Sequence, residues 1–335
     1  MSDSFQAPRL AVPGAIDMQA LRGFDPAAPV CRFTGATMGT TWSVLGAMPR
    51  SLGLSPPDLR ARIQTRLDGL VAEMSHWDET SVLCGFNRAE AGCEISLPRD
   101  FSLVIAAALE IARLSEGAFD PAQGRLTDLW GLGANPASAD PESSAILAAR
   151  RQSGWDRLAH DANARILRQP GGLWLDLSGI AKGHAADAIA DLLGDLGIGH
   201  ALVEIGGEFV GRGLRPDGDP WWVDLENPQP AAPVERSLPG MRIALHQLAV
   251  ATSGDYLRGA HTLNPRTGRP AIHATTAVSV VHSRCMDADA WATALSVLEP
   301  QQALALATRQ NLAARIVERS GTEWLSPSLA AMIEP

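Results

Sequence analysis

Residues 173–193, LWLDLSGIAKGHAADAIADLL, change hydrophobic period half-way along. Leu173, Leu175 and Leu177 alternate as in a strand, the run breaks at Ser178 and Gly179, and Asp187, Ile189 and Leu192 beyond it belong to a helical stretch. This one segment commits the chain to a strand-like run that feeds directly into a helix. Helix N-termini carry unpaired backbone N–H groups, and Lys182 in the first turn adds a cation, a combination suited to a phosphate. The same residues also describe an ordinary connection with a capping Ser178 and a solvated Lys182.

Elsewhere, helical and strand periods are interspersed without regular alternation, so the expected class is α+β. In SPPDLRARIQTRLDGLVAEMSHW, the apolar residues Leu59, Ile63, Leu67, Leu70, Val71 and Met74 recur three or four apart behind a Ser55 cap and two prolines. Further helices are expected in DFSLVIAAALEIARLSEG, stopping at Gly117, and in AKGHAADAIADLLGDLG and DADAWATALSVL. ALVEI, WWVDL, RIALHQLAVA and AVSVVH read as strands. Residues 1–30 mix Pro, Gly and Ala without a period and are expected to form a loosely packed leader, with one large domain over residues 31–335.

With 46% hydrophobic residues among 335, the chain can bury a full core. Its net charge of −9 speaks against nonspecific nucleic-acid binding, which relies on a basic face to displace counterions. An anionic ligand would need a local source of positive charge, such as a metal ion. Cys31, Cys84, Cys93 and Cys285 form no CxxC pair and no zinc spacing, which points to reduced, mostly buried thiols. No apolar run reaches 18 residues, so no stable membrane insertion is expected. The N-terminus has neither a secretory pattern nor a good lipoprotein cleavage site, and a cytoplasmic location is the expectation.

Other stretches carry candidate chemistry. In CMDADAWATALSVL, Asp289 and Thr293 lie four apart on one helical face and offer a carboxylate and a hydroxyl to a hard cation such as Mg²⁺ or Ca²⁺. The alternative is that Asp287 caps the helix and Asp289 complements its dipole. In SGDYLRGAHTLNPRTGRPA, NPRTG is a turn, and His261 beside it is either a general base or a hydrogen-bonded structural residue. SEGAFDPAQGRLTDLWGLG offers loop backbone and the aromatics Phe119 and Trp130 to a flat polar ligand, or is simply a long loop. FTGATMGTTWSV, residues 33–44, is a turn-like run ending in strand residues, open to three readings: a ligand-gripping loop, a hairpin turn or a modified site.

Taken in order, MGTTW, GAFDP, DLSGIAKG, IGGE, HTLNPRTGRP and DADAWATAL resemble the FAD:protein FMN transferase family, the ApbE family, over residues 33 to about 300. The resemblance implies one large domain of two α+β lobes with FAD in the cleft between them, contacted by Met38, Trp77, Ala118, Phe119, Asp120, Asp176, Lys182 and Leu263. It implies Mg²⁺ held by the Asp289 carboxylate, the Thr293 hydroxyl and the backbone carbonyls of Gly179 and Ala292. Mg²⁺ and Lys182 would then neutralise the FAD pyrophosphate within an acidic protein. The implied reaction moves the FMN half of FAD onto a Thr or Ser hydroxyl of an acceptor protein, forms a phosphoester and releases AMP, with His261 as the base.

Acceptors of the family carry Asp, two free positions, Ser or Thr, Gly, Ala and then the modified Thr or Ser. Residues 34–37, TGAT, match the end of that pattern, but Cys31 stands where its Asp belongs. The stretch is therefore expected to be this enzyme's own FAD-contacting turn, with Met38 against the ligand, rather than a site of self-modification at Thr37. His184, Gln123, Arg125 and Asn264 depart from the family's usual residues and bear on the shape of the flavin pocket and acceptor groove, not on the metal ligands. Two other readings stay open on the same scaffold. One is an FAD pyrophosphatase, with water in place of the acceptor, and the other is a non-catalytic flavin-binding protein.

Overall fold

The computed structural model describes residues 7–137, 139–228, 238–255, 262–271 and 275–333. Helices and strands are mixed as the interspersed periods predict, and the class is α+β. The frame is an eight-stranded sheet in the spatial order Glu323–Leu325, Ala313–Glu318, Thr275–His282, Leu248–Gly254, Glu208–Arg212, Ala201–Ile205, Thr40–Ala47 and Val30–Thr37. Every neighbouring pair in it is antiparallel.

Both faces of the central strands are covered. Val278 and Val280 join the main core between sheet and helices, while Val281 joins a second cluster with Trp221, Met241, Ile243 and Leu245 on the other face. That second cluster packs a three-stranded sheet, Arg9–Ala11 with Met241–Leu245 and Trp221–Leu225, against the large one. Burial on both sides explains why AVSVVH is apolar almost throughout rather than alternating.

Helix Pro56–Met74 starts as read: Ser55 accepts the Asp58 N–H, and Leu59, Ile63, Leu67, Leu70 and Met74 are buried. Burying each such side chain contributes about 1.5–3 kcal/mol before entropy is counted, so this stripe pins the helix to the core. Helix Arg99–Leu114 ends with Glu116 and Gly117 at positive φ, and the Gly117 N–H closes on the Ala112 carbonyl at 2.8 Å.

Three expectations are corrected. Residues 9–11 are not loose: they form a strand parallel to Met241–Leu245 with Ala11 fully buried, and Asp17 N–H donates to His246 Nε2 at 3.1 Å. Three residues are too few to show a period in sequence. RIALHQLAVA is two strands of different sheets, Met241–Leu245 and Leu248–Gly254, separated by His246 and by Gln247 at φ +55°. Residues 173–177 are extended but join no sheet; Leu175 exchanges bonds with the Asn87 side chain, and Leu173 N–H goes to Gln169 Oε1. Amide side chains do there what a neighbouring strand would do elsewhere. Among the described residues no helix is long and apolar enough to cross a membrane.

Candidate active site at the start of helix Ala181–Asp195

Two glycine-bearing hairpin turns meet at the start of this helix. Met38 and Gly39, at φ +48° and +70°, turn between the facing residues Thr37 and Thr40. This two-residue turn with both positions left-handed matches the twist of the flanking strands. Residues 34–37 are therefore strand, and only Met38 and Gly39 form the turn expected there. Gly206 and Gly207, at φ +61° and +97°, make the second turn between Ile205 and Glu208. A Cβ on Gly206 would stand 2.8 Å from Thr40 Cγ2 and 3.4 Å from Lys182 Cδ, so the two turns and the lysine occupy one place.

Lys182 is half-buried and forms an ion pair with Glu208, which is 3% exposed. Burial alone would lower the Lys182 ammonium, but the carboxylates of Asp289 and Glu208 hold it above its ordinary value. Burial, and the charge of Asp289, push the Glu208 carboxyl up. Burial likewise raises Asp289. Two carboxyl groups thus share one ammonium, and a further cation beside them would favour their ionised forms.

Of the expected metal ligands, Gly179 lies just before helix Ala181–Asp195, and Asp289, Ala292 and Thr293 lie on helix Cys285–Ser296. Asp289, 4% exposed on helix Cys285–Ser296, accepts the Gly183 N–H on Oδ2 at 3.0 Å. Gly183 is the third residue of helix Ala181–Asp195, so its N–H is one of those a helix start leaves without a partner, and Asp289 satisfies it. A Cβ on Gly179 would lie 2.8 Å from Thr293 Oγ1, and one on Gly183 would lie 2.3 Å from the Cys285 carbonyl oxygen. Only glycine permits this approach of the two helices, and it sets the Gly179 backbone against the Thr293 hydroxyl. Ala292 is buried in the same helix. Ser253 Oγ lies 3.2 Å from Thr293 Oγ1 and adds another oxygen. An all-oxygen set with one carboxylate fits Mg²⁺. Among the described residues no group of three His, Cys, Asp or Glu forms a denser metal site.

Asp289 is therefore buried inside the site and not a surface partner of the helix dipole. Nor does Asp287 cap this helix with its own side chain. Asp187 of the neighbouring helix accepts the Cys285 and Met286 N–H groups at 3.0 and 2.9 Å, while Asp287 pairs with Arg284.

The remaining expected flavin contacts lie to one side. Asp176 accepts Thr127 Oγ1 at 2.6 Å and the Ser178 N–H at 2.9 Å, and its own N–H donates to the Pro121 carbonyl. That last bond sets the GAFDP loop beside the residues that lead to Gly179. Asp120 accepts the Ala122 N–H at 2.7 Å, and burial pushes its carboxyl up to about 7. Trp77 is 58% exposed and lies against the His76 ring, with centroids 3.5 Å apart. Ala118, Phe119 and Leu263 are buried, and Trp130 Nε1 donates to the Gly268 carbonyl at 2.8 Å. His261 lies outside the described residues. Sequence reasoning missed Glu208, Ser253 and Asp187 as participants. Glu208 ends the quoted IGGE and was there to be found, whereas the other two reveal their roles only through partners distant in the chain.

The ApbE family model matches residues 38–316. A FAD:protein FMN transferase of Haemophilus influenzae is 31% identical over 315 residues, covering 90% of each chain. The flavin transferase ApbE from Vibrio cholerae superposes with a TM-score of 0.84 at 30% identity, covering 91% of this chain and 99% of that one. The apo flavinyl transferase ApbE of Pseudomonas stutzeri gives 0.82 at 32% identity, covering 92% and 98%. On this combined match of sequence and fold, the chain belongs to the ApbE family of enzymes.

Proposed function

We propose that this chain is an FAD:protein FMN transferase that moves the FMN half of FAD to a Thr or Ser hydroxyl of an acceptor protein and releases AMP. The observation that supports the proposal is the junction of helices Ala181–Asp195 and Cys285–Ser296, where Asp289 accepts the Gly183 N–H beside Lys182 and Gly179 packs against Thr293. The Lys182 ammonium, in the first turn of helix Ala181–Asp195, takes the pyrophosphate. Gly179, Asp289, Ala292 and Thr293 would hold Mg²⁺, which when bound supplies positive charge against the phosphoryl oxygens. Met38, Trp77, Ala118, Phe119, Asp120, Asp176 and Leu263 complete the FAD contacts, with the exposed face of Trp77 available to the flavin ring.

In the transfer the acceptor oxygen bonds to the FMN phosphorus, the bond from that phosphorus to the bridging oxygen breaks, and AMP leaves with that oxygen. His261 takes the hydroxyl proton as base. The acceptor presents Asp-x-x-Ser/Thr-Gly-Ala-Thr/Ser. The four free cysteines support a reducing, cytoplasmic setting.

AMP release from FAD and Mg²⁺, measured with and without an acceptor bearing that motif, tests the reading. The proposal expects AMP to appear with the acceptor and to be largely absent without it. Equal release in both identifies a pyrophosphatase, and FAD binding with no AMP identifies a carrier; either result contradicts the proposal.

A further inference from the structure

Asp289 and Glu208 both lie within electrostatic reach of Lys182, yet Lys182 bonds to Glu208. Asp289 instead takes the backbone N–H of Gly183, the residue next to Lys182. The second oxygen of Glu208, Oε2, is buried without a partner, so this almost inaccessible carboxylate is committed to the ammonium. Glu208 follows directly on the Gly206 and Gly207 turn, and the lysine stem passes close enough to that turn that a Cβ on Gly206 would lie 3.4 Å from Lys182 Cδ. A buried ammonium on a flexible stem pairs with whichever carboxylate is in reach, and an ammonium and a metal cation compete for the same carboxylate.

We propose that Glu208 is a positioning residue that holds Lys182 away from Asp289 and so keeps the Asp289 carboxylate available to Mg²⁺. The inference rests on the Mg²⁺ reading of the site. Removing the negative charge of Glu208 leaves Asp289 as the nearest charged partner for Lys182, and Mg²⁺ must then displace that ion pair in order to bind. Removing Lys182 as well removes the competitor.

Calorimetric titration of MgCl₂ into the full chain without FAD separates the possibilities, using the parent, Glu208→Gln, Lys182→Met and the double variant. Glu208→Gln keeps size and shape, and thermal melting confirms that each variant is folded. The expected result is a Mg²⁺ dissociation constant raised on the order of tenfold in Glu208→Gln. The double variant is expected to stay within about threefold of Lys182→Met alone. If Glu208→Gln weakens Mg²⁺ equally whether or not Lys182 is present, Glu208 acts through its own charge and the proposal is overturned. If Glu208→Gln binds Mg²⁺ like a Mg²⁺-binding parent, it is overturned as well. A parent that binds no Mg²⁺ overturns the metal reading itself, and the proposal with it.

Discussion

Single hydrogen bonds decide what several side chains of this protein can be. His200 Nδ1 accepts the Leu214 N–H at 3.0 Å, and its Nε2 lies 3.3 Å from the Arg22 carbonyl oxygen. His246 is held the same way, accepting Asp17 N–H on Nε2, with Nδ1 3.0 Å from the Gly213 carbonyl oxygen. In each ring one nitrogen accepts and the other faces a carbonyl oxygen, and each ties the N-terminal segment to the body. Burial, with His246 nearby, lowers the His200 pKa in the fold. A group depressed in the folded state contributes stability that is present above its unfolded value, about 6.5 for His, and is lost as pH falls through the folded value. The contribution of His200 to the melting temperature should therefore drop between about pH 7 and 5. In His200→Asn the melting temperature should fall less over that range than in the parent, because a titrating group is gone. Equal slopes in the two proteins would show that His200 is not a source of acid sensitivity.

At the scale of elements, the hairpin Val30–Thr37 and Thr40–Ala47 shows how an edge strand is protected. The Thr34 and Ala36 carbonyls accept Arg60 Nε and Gln64 Nε2 from helix Pro56–Met74, so side chains cover the outer edge. Gln64 Oε1 also accepts Trp42 Nε1, and Trp42 lies across Gly35 in the register. A Cβ on Gly35 would fall 2.4 Å from that indole nitrogen, and Trp42 is 1% exposed with nowhere to move. Gly35→Ala should cost about 1–3 kcal/mol by overpacking, read as a lower melting temperature. An unchanged melting temperature would mean that the hairpin yields more easily than this packing indicates.

The same region shows why elements were only partly legible. Apolar spacing revealed the long helices, because one face of each meets the core. Residues 173–177 alternate like a strand, but nothing in an alternation says that Asn87 and Gln169 will supply the hydrogen bonds. The two strands within RIALHQLAVA fused in sequence because a tight turn at Gln247 leaves little compositional trace.

For the whole molecule, the ordered motifs identified the family, and four of them, MGTTW, DLSGIAKG, IGGE and DADAWATAL, meet at one junction. Asp289, Thr293, Gly179 and Lys182 were legible as candidates, since helical spacing and a Ser-Gly break are local facts. The Lys182 pairing with Glu208 and the Asp187 cap were not, because they join residues that only the assembled sheet and packed helices bring together. The central claim joins that junction to one covalent product. Mass spectrometry of an acceptor carrying Asp-x-x-Ser/Thr-Gly-Ala-Thr, after incubation with FAD, Mg²⁺ and either the parent or Asp289→Asn, tests it most directly. The account predicts FMN attached to the final threonine with the parent, and no attachment with either Asp289→Asn or excess EDTA. An unmodified acceptor with the folded, FAD-binding parent, or full modification by Asp289→Asn, would contradict it.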